Sequence, residues 1–197
     1  MPDQKREPEY AQYADHENLT TVSHPERPAY VLIYGLLGWS ALLVALSLVL
    51  VPEEVTAVSV ILMCAVLGTA LILCIGFTRL CVVHLRATPW DGLEVSLGHF
   101  VSRRLPWEAI SSVQKAPTGG AIDVGWKWMG PGRIGYLAGA ENILVKTAPE
   151  FREKALHGEV ELEGRQKLSE WYYISVPDAE EVARQLTQMR AQALSQQ

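Results

Sequence analysis

The chain has 197 residues, a net charge of −5, a hydrophobic fraction of 49% and 3 cysteines. A negative chain with no concentrated basic face excludes a general nucleic-acid binder. Cys64, Cys74 and Cys81 follow no metal or redox spacing and read as core thiols.

Met1 to Pro28 is polar, holds four prolines and shows neither a period of 2 nor one of 3.6. Residues 1–28 are therefore expected to form a disordered tail. Asn18-Leu19-Thr20 fits the glycosylation acceptor pattern, which is empty on a cytoplasmic tail.

From Ala29 to Val51, and again from Val55 to Phe77, no side chain is charged, and only Pro52, Glu53 and Glu54 separate the two runs. Each run of about 23 residues spans roughly 34 Å as a helix, enough to cross a ~30 Å hydrocarbon core. Residues 29–77 are thus expected to be a transmembrane helical hairpin, with helices over 29–51 and 55–77. Lys5, Arg6 and Arg27 precede it and Arg79 and Arg86 follow it, while the turn carries only Glu53 and Glu54. The positive-inside rule then places both termini in the cytoplasm. The length of the first run, the acidic segment before it and the second span after it argue against a cleaved signal peptide.

Small residues mark the helix faces: Gly35 and Gly38, then Ala41 and Ala45, with Cys64 and Gly68 in the second run. Such residues let helix backbones approach closely. Two uses are open, joining the two helices of the hairpin or receiving a transmembrane helix of a membrane-protein partner or a second copy. Tyr30, Tyr34 and Trp39 cluster toward the cytoplasmic half, with Tyr30 placed as an interfacial anchor.

After Phe77 the pattern becomes alternating, and residues 78–192 are expected to form one cytoplasmic domain. Arg79 to Arg86 reads as a strand, Leu93 to Leu97 as the next, Gly98-His99 as a turn and Phe100 to Leu105 as a third. Pro106 ends it, and Trp107 to Val113 gives another short element. Trp126, Trp128 and Tyr136 suit a twisted hairpin, and Ile143 to Thr147 and Trp171 to Val176 are two more strands. Ala148 to Glu170, heavily charged, reads as a long exposed excursion. Asp178 with Glu181 has the spacing of a capping box, and Val182, Leu186, Met189 and Ala193 form one apolar stripe. Residues 193–197 are a tail. Strands followed by one amphipathic helix predict an α+β domain: a bent antiparallel sheet or partly open barrel capped by a C-terminal helix.

The stretch Leu93 to Val113, with Pro106-Trp107 and Ile110, then Gly125-Trp-Lys-Trp128, Gly130-Pro-Gly-Arg133, Ile143 to Thr147 and Tyr173 to Val182, resembles bacterial pleckstrin-homology-like (PH-like) domains. The resemblance implies a seven-stranded, strongly bent sheet capped by a helix, often tethered to the membrane by a helical hairpin. It places the chain at the inner membrane. The charged insertion after Ala148 departs from the family pattern.

No residue stands out for catalysis, cofactor binding or metal binding. Gly130 to Gly135 fits the letters of a dinucleotide fingerprint, but Pro131 removes a backbone donor and no helix follows. His16, His24, His84, His99 and His157 are isolated from other ligand types. Arg79, Arg86, Arg103 and Arg104, with Lys115, Lys127 and Arg133, form a candidate lipid-facing basic set, the alternative being a solvated strand face. Trp126, Trp128, Met129 and Tyr136 are a recognition surface for a protein partner, the filling of a small core, or, for the two tryptophans, residues that dip into the bilayer interface. The leading expectation is a binding or scaffold module acting as an accessory subunit. An anionic-lipid sensor is the alternative, and a membrane-associated enzyme comes third.

Overall fold

The computed structural model describes residues 18–50, 57–98, 101–120, 123–139, 141–160 and 168–196. The expected turn at 52–54, the tail before residue 18, and His16, His99 and Phe100 lie outside these residues.

The first element is a strand, β1 (Leu19–Ser23), and it pairs antiparallel with β2 (Val83–Thr88) in register Leu19 to Ala87 through Ser23 to Val83. This corrects the expectation of a disordered tail over residues 18–23. Leu19, Thr21 and Ser23 stand on the core side of the sheet at period 2, a signal that five residues beside four prolines do not make visible.

Between these strands lie two helices, α1 (Arg27–Leu50) and α2 (Ala57–Leu80), packed against each other. Pro28 occupies the first turn of α1, where its missing N–H is not needed. The half-buried positions among the described side chains are Tyr30, Ile33, Leu37 and Val44 on α1 and Met63, Leu67, Gly68, Ala70, Cys74 and Gly76 on α2. Within the α2 set, Met63, Leu67, Ala70 and Cys74 keep the 4-3-4 spacing of a coiled-coil seam. Among the described residues, one helix, Arg27–Leu46, is long and apolar enough to cross a membrane by length and composition; the described apolar stretch of the second, Met63–Phe77, is shorter.

The helix α2 continues through Arg79 to Leu80, so the expected strand start at Arg79 moves to Val83. From there β2, β3 (Gly92–Leu97) and β4 (Val101–Leu105) complete a four-stranded antiparallel sheet in the order β1-β2-β3-β4. A 3-10 turn, Trp107–Ala109, leads into β5 (Ile110–Lys115). The second sheet adds β6 (Val124–Trp128), β7 (Arg133–Ala138), β8 (Asn142–Thr147) and β9 (Trp171–Ser175), in the order β5-β8-β9-β7-β6.

The single bent antiparallel sheet of seven strands is thereby corrected: the described residues hold nine strands in two sheets, with β7 and β9 parallel. The cause is the segment after β8. Part of the expected exposed excursion is a helix, α3 (Pro149–Leu156), which buries none of its residues. Its length lets the chain re-enter at Trp171 beside Lys146 and slide β9 between β8 and β7.

The connection from β7 to β8 therefore crosses the end of β9, and buried Ser175 and Asn142 satisfy its backbone. The Ala138 N–H donates to Ser175 Oγ at 2.8 Å, Ser175 Oγ donates to Asn142 Oδ1 at 2.6 Å, and Asn142 Nδ2 donates to the Gly139 carbonyl at 3.3 Å.

The chain closes with α4 (Ala179–Ser195). The Asp178 carboxylate accepts from the Glu181 N–H at 3.2 Å, as a cap does, while the Glu181 carboxylate turns to Arg184 and Gln185 instead of closing the box. Val182, Leu186 and Ala193 are buried, with Met189 packed beside them, on β5 and β8. Burial of Ala193 and helix to Ser195 correct the expected tail over residues 193–195.

Candidate functional site

The strand registers divide the domain into two ends. Ser23, Val83, Leu97 and Val101 form one row, adjacent to the start of α1 and the end of α2. Five residue steps along β2, roughly 17 Å at ~3.3 Å per residue, lead to the opposite end at Thr88, Gly92 and Leu105. In the second sheet, β7 and β9 run toward the helix end and β6 and β8 run away from it.

The four candidate arginines do not form one surface. Arg79 lies in the last turn of α2 and is exposed. Arg86 stands on the outer face of the first sheet, in a cross-strand row with Glu94 and Arg104. Arg104 pairs with Asp91 at 2.5 Å at the end remote from the helices. Arg103 points the other way: it is 6% exposed on the core face of β4, opposite Val95. Adjacent residues of a strand face opposite sides, so Arg103 and Arg104 cannot both serve one surface. The grouping of the four as a lipid-facing set is corrected for Arg103 and Arg104, which offer nothing to a bilayer beyond the helices.

The aromatic set divides as well. Trp126 pairs with Tyr136 and Trp128 with Ile134 across the β6–β7 hairpin. Tyr136 is 2% exposed, and burial, with a smaller contribution from Tyr172 and against the pull of Arg103, pushes its phenol up to about 12. It is a core residue, which corrects its place in a protein interface. Trp126 and Trp128 are 51% and 65% exposed because β6 is the outermost strand and overhangs the core. Trp128 lies at the end away from the helices, as does the exposed Trp90 in the β2–β3 turn, so neither dips into a bilayer entered by α1. Lys127 between the tryptophans is held by Asp123 at 2.9 Å; this hydrogen bond keeps the Asp123 carboxyl below its usual range.

Gly35, Gly38, Ala41 and Ala45 are exposed on α1, and a side-chain carbon at Gly35 or Gly38 meets nothing within 4 Å. The seam with α2 is made by the larger residues, so these positions do not join the two helices.

A cleft of about 510 Å³, which the sequence does not signal, opens where the helices meet the domain. Its walls come from the β1–α1 connection (Glu26, Arg27), the β7–β8 connection (Gly139, Glu141) and the start of α4 (Asp178). The Glu26 carbonyl accepts the Ala29 N–H at 3.0 Å, starting α1, and Glu26 Oε1 lies 2.6 Å from where a side-chain carbon at Gly139 stands. Glu141 Oε2 accepts the Ala179 N–H at 3.2 Å. Three segments far apart in sequence build it, which is why no spacing motif announces it. Among the described residues no group of three or more His, Cys, Asp or Glu is placed to hold a metal ion.

Comparison of the chain with protein-family models, with curated proteins and with solved structures finds no match.

Proposed function

We propose that this protein is a membrane-anchored binding module, an accessory or scaffold subunit whose PH-like domain sits against the inner face of the membrane and docks a partner protein. In this reading both α1 and α2 cross the bilayer. The pairing of β1 with β2 supports it: the strand entering α1 and the strand leaving α2 are hydrogen-bonded neighbours, so the helix pair leaves and returns to the domain on one side. The PH-like assignment rests on the sequence resemblance and on the closing C-terminal helix; the nine described strands in two sheets depart from it.

The observation that carries docking is the β6 edge. Among the described residues β6 is the last strand of its sheet and carries the exposed Trp126 and Trp128, and β-strand addition uses that combination of edge backbone and side-chain anchors. A second copy is a poor occupant. Antiparallel β6–β6 pairing requires a two-fold axis perpendicular to the strand, and β6 runs away from the helix end, so that axis turns the second copy out of the shared bilayer. A different protein, adding an extended segment, is the partner this edge suits.

The test is gentle extraction of the full chain from its membrane and native electrophoresis, with Trp126→Ser and Trp128→Ser combined. The reading expects the parent chain to migrate in a stoichiometric complex and the variant to migrate alone with unchanged thermal stability. Equal migration of both rejects β6 as the docking edge. The anionic-lipid reading loses two of its arginines, since Arg103 is buried and Arg104 is paired far from the helices.

A further inference from the structure

We infer that the ligand of the β6 edge is an extended segment of a partner protein, antiparallel to β6, with an acidic residue between two apolar ones. The inference rests on the docking reading above and specifies what that edge takes. The Met129 N–H donates to the Arg133 carbonyl at 3.0 Å, and the β6–β7 ladder continues through Trp128 opposite Ile134, Lys127 opposite Gly135 and Trp126 opposite Tyr136. Hydrogen-bonded and non-hydrogen-bonded pairs alternate along an antiparallel ladder. The bond from Met129 therefore puts Lys127–Gly135 among the hydrogen-bonded pairs and Trp128–Ile134 and Trp126–Tyr136 among the others. The backbone N–H and C=O of Trp126 and Trp128 consequently point away from β7, toward the flank where the described residues place no strand. Gly125 at φ +101 and Gly130 at φ +119 bound this regular stretch.

Antiparallel pairing is the more stable per residue. In it, the residues opposite Trp126 and Trp128 exchange both backbone bonds with them and lie on the same face as the exposed indoles. Aromatic side chains pair favourably with aromatic or β-branched ones across strands, so these two positions are apolar. The residue between them stands opposite Lys127, on the other face. The Lys127 ammonium spends one of its three donors on Asp123, and the Asp123 carboxylate is engaged by Lys127 and the Gly120 N–H. Exposed Arg133 stands on that same face of β7. A carboxylate opposite Lys127 meets its remaining donors, whereas Lys or Arg there sets like charges directly opposite each other. The backbone adds a sharper requirement. Only the two apolar residues give their N–H to β6, so proline fits the central position and is excluded from the flanking ones. A parallel segment reverses this, because its central residue makes the bonds to Trp126 and Trp128.

The test selects a displayed library of random peptides against the full chain in nanodiscs, with the combined Trp126→Ser and Trp128→Ser variant as the counter-selection. The expected result is enrichment, on the parent chain only, of peptides that share an apolar–acidic–apolar pattern. The most enriched peptide is then synthesised with a fluorophore and titrated against the parent chain. Proline at the acidic position is expected to change its Kd by less than about threefold, and proline at either apolar position to raise it by about tenfold or more. Lysine in place of the acidic residue is expected to raise Kd by about fivefold at low salt, an effect that disappears at about 1 M salt. The opposite proline pattern marks a parallel segment and overturns the inference, as does enrichment of a central basic residue or of no common pattern. Those results leave docking at β6 standing. Enrichment that is equal on the parent and the variant, or absent from both, rejects the docking reading itself. The proline scan on the parent chain needs no variant of the protein.

Discussion

Replacing Arg103 with Glu puts a carboxylate on the core face of β4, beside Tyr136, and the expected cost is ~3–5 kcal/mol, that of a buried charge without its counterpart. Arg104→Glu breaks only an exposed pair with Asp91 and is expected to cost under about 1 kcal/mol. Thermal unfolding of the two variants separates them; equal effects contradict the assigned faces. Tyr136 gives a pH signature. Its phenol stays neutral to about 12 in the folded chain, while in the unfolded chain it ionises near 10. Below about pH 10 both states hold the proton and the contribution is fully present. As pH rises from 10 toward 12 the unfolded state releases the proton first, and stability falls. Tyr136→Phe is expected to flatten that alkaline limb, and an unchanged limb assigns it elsewhere. Gly92 has φ +93, and a side-chain carbon there collides with the Leu105 carbonyl. Gly92→Ala is accordingly a severe substitution, while most exposed positions tolerate change.

At the scale of elements, α4 depends on its first turn. Asp178 adopts φ 50 and caps the Glu181 N–H. Asp178→Asn keeps both the acceptor and the tolerance for this backbone region, so its expected effect is small. Asp178→Ala loses the cap and is expected to cost ~0.5–2 kcal/mol, read as a lower unfolding midpoint. The crossing of β9 by the β7–β8 connection depends on Ser175. Removing its hydroxyl leaves the buried Ala138 N–H without an acceptor, an expected loss of ~1–3 kcal/mol for Ser175→Ala. Trp107 does the same service at the other end of the domain, donating from Nε1 to the Thr88 carbonyl at 2.9 Å.

For the whole molecule, the placement of the helix pair between hydrogen-bonded β1 and β2 ties the domain closely to the two helices. A cysteine introduced as Glu53→Cys is expected to react with an impermeant maleimide from outside the cell, and one introduced as Ser102→Cys is not. Labelling of both from one side excludes two crossings.

The sequence alone determined the apolar helices, because uncharged runs of this length leave few alternatives, and the α4 stripe, because a period of 3.6 sustained from Val182 to Ala193 has one buried face. It also located most strands through alternation and turn residues, including the β6–β7 hairpin. It did not reveal β1, whose pairing depends on β2 some 60 residues away. Nor did it give the position of β9, since strand order follows from which edge is free when the chain returns, and local pattern is silent about edges. The orientation of Arg103 against Arg104 and the separation of Tyr136 from Trp126 were decided by register and by distance from the sheet edge. The cleft belongs wholly to the tertiary structure, which brings Arg27, Glu141 and Asp178 together from three turns. Periodicity reads what each segment buries; only packing decides which segments meet.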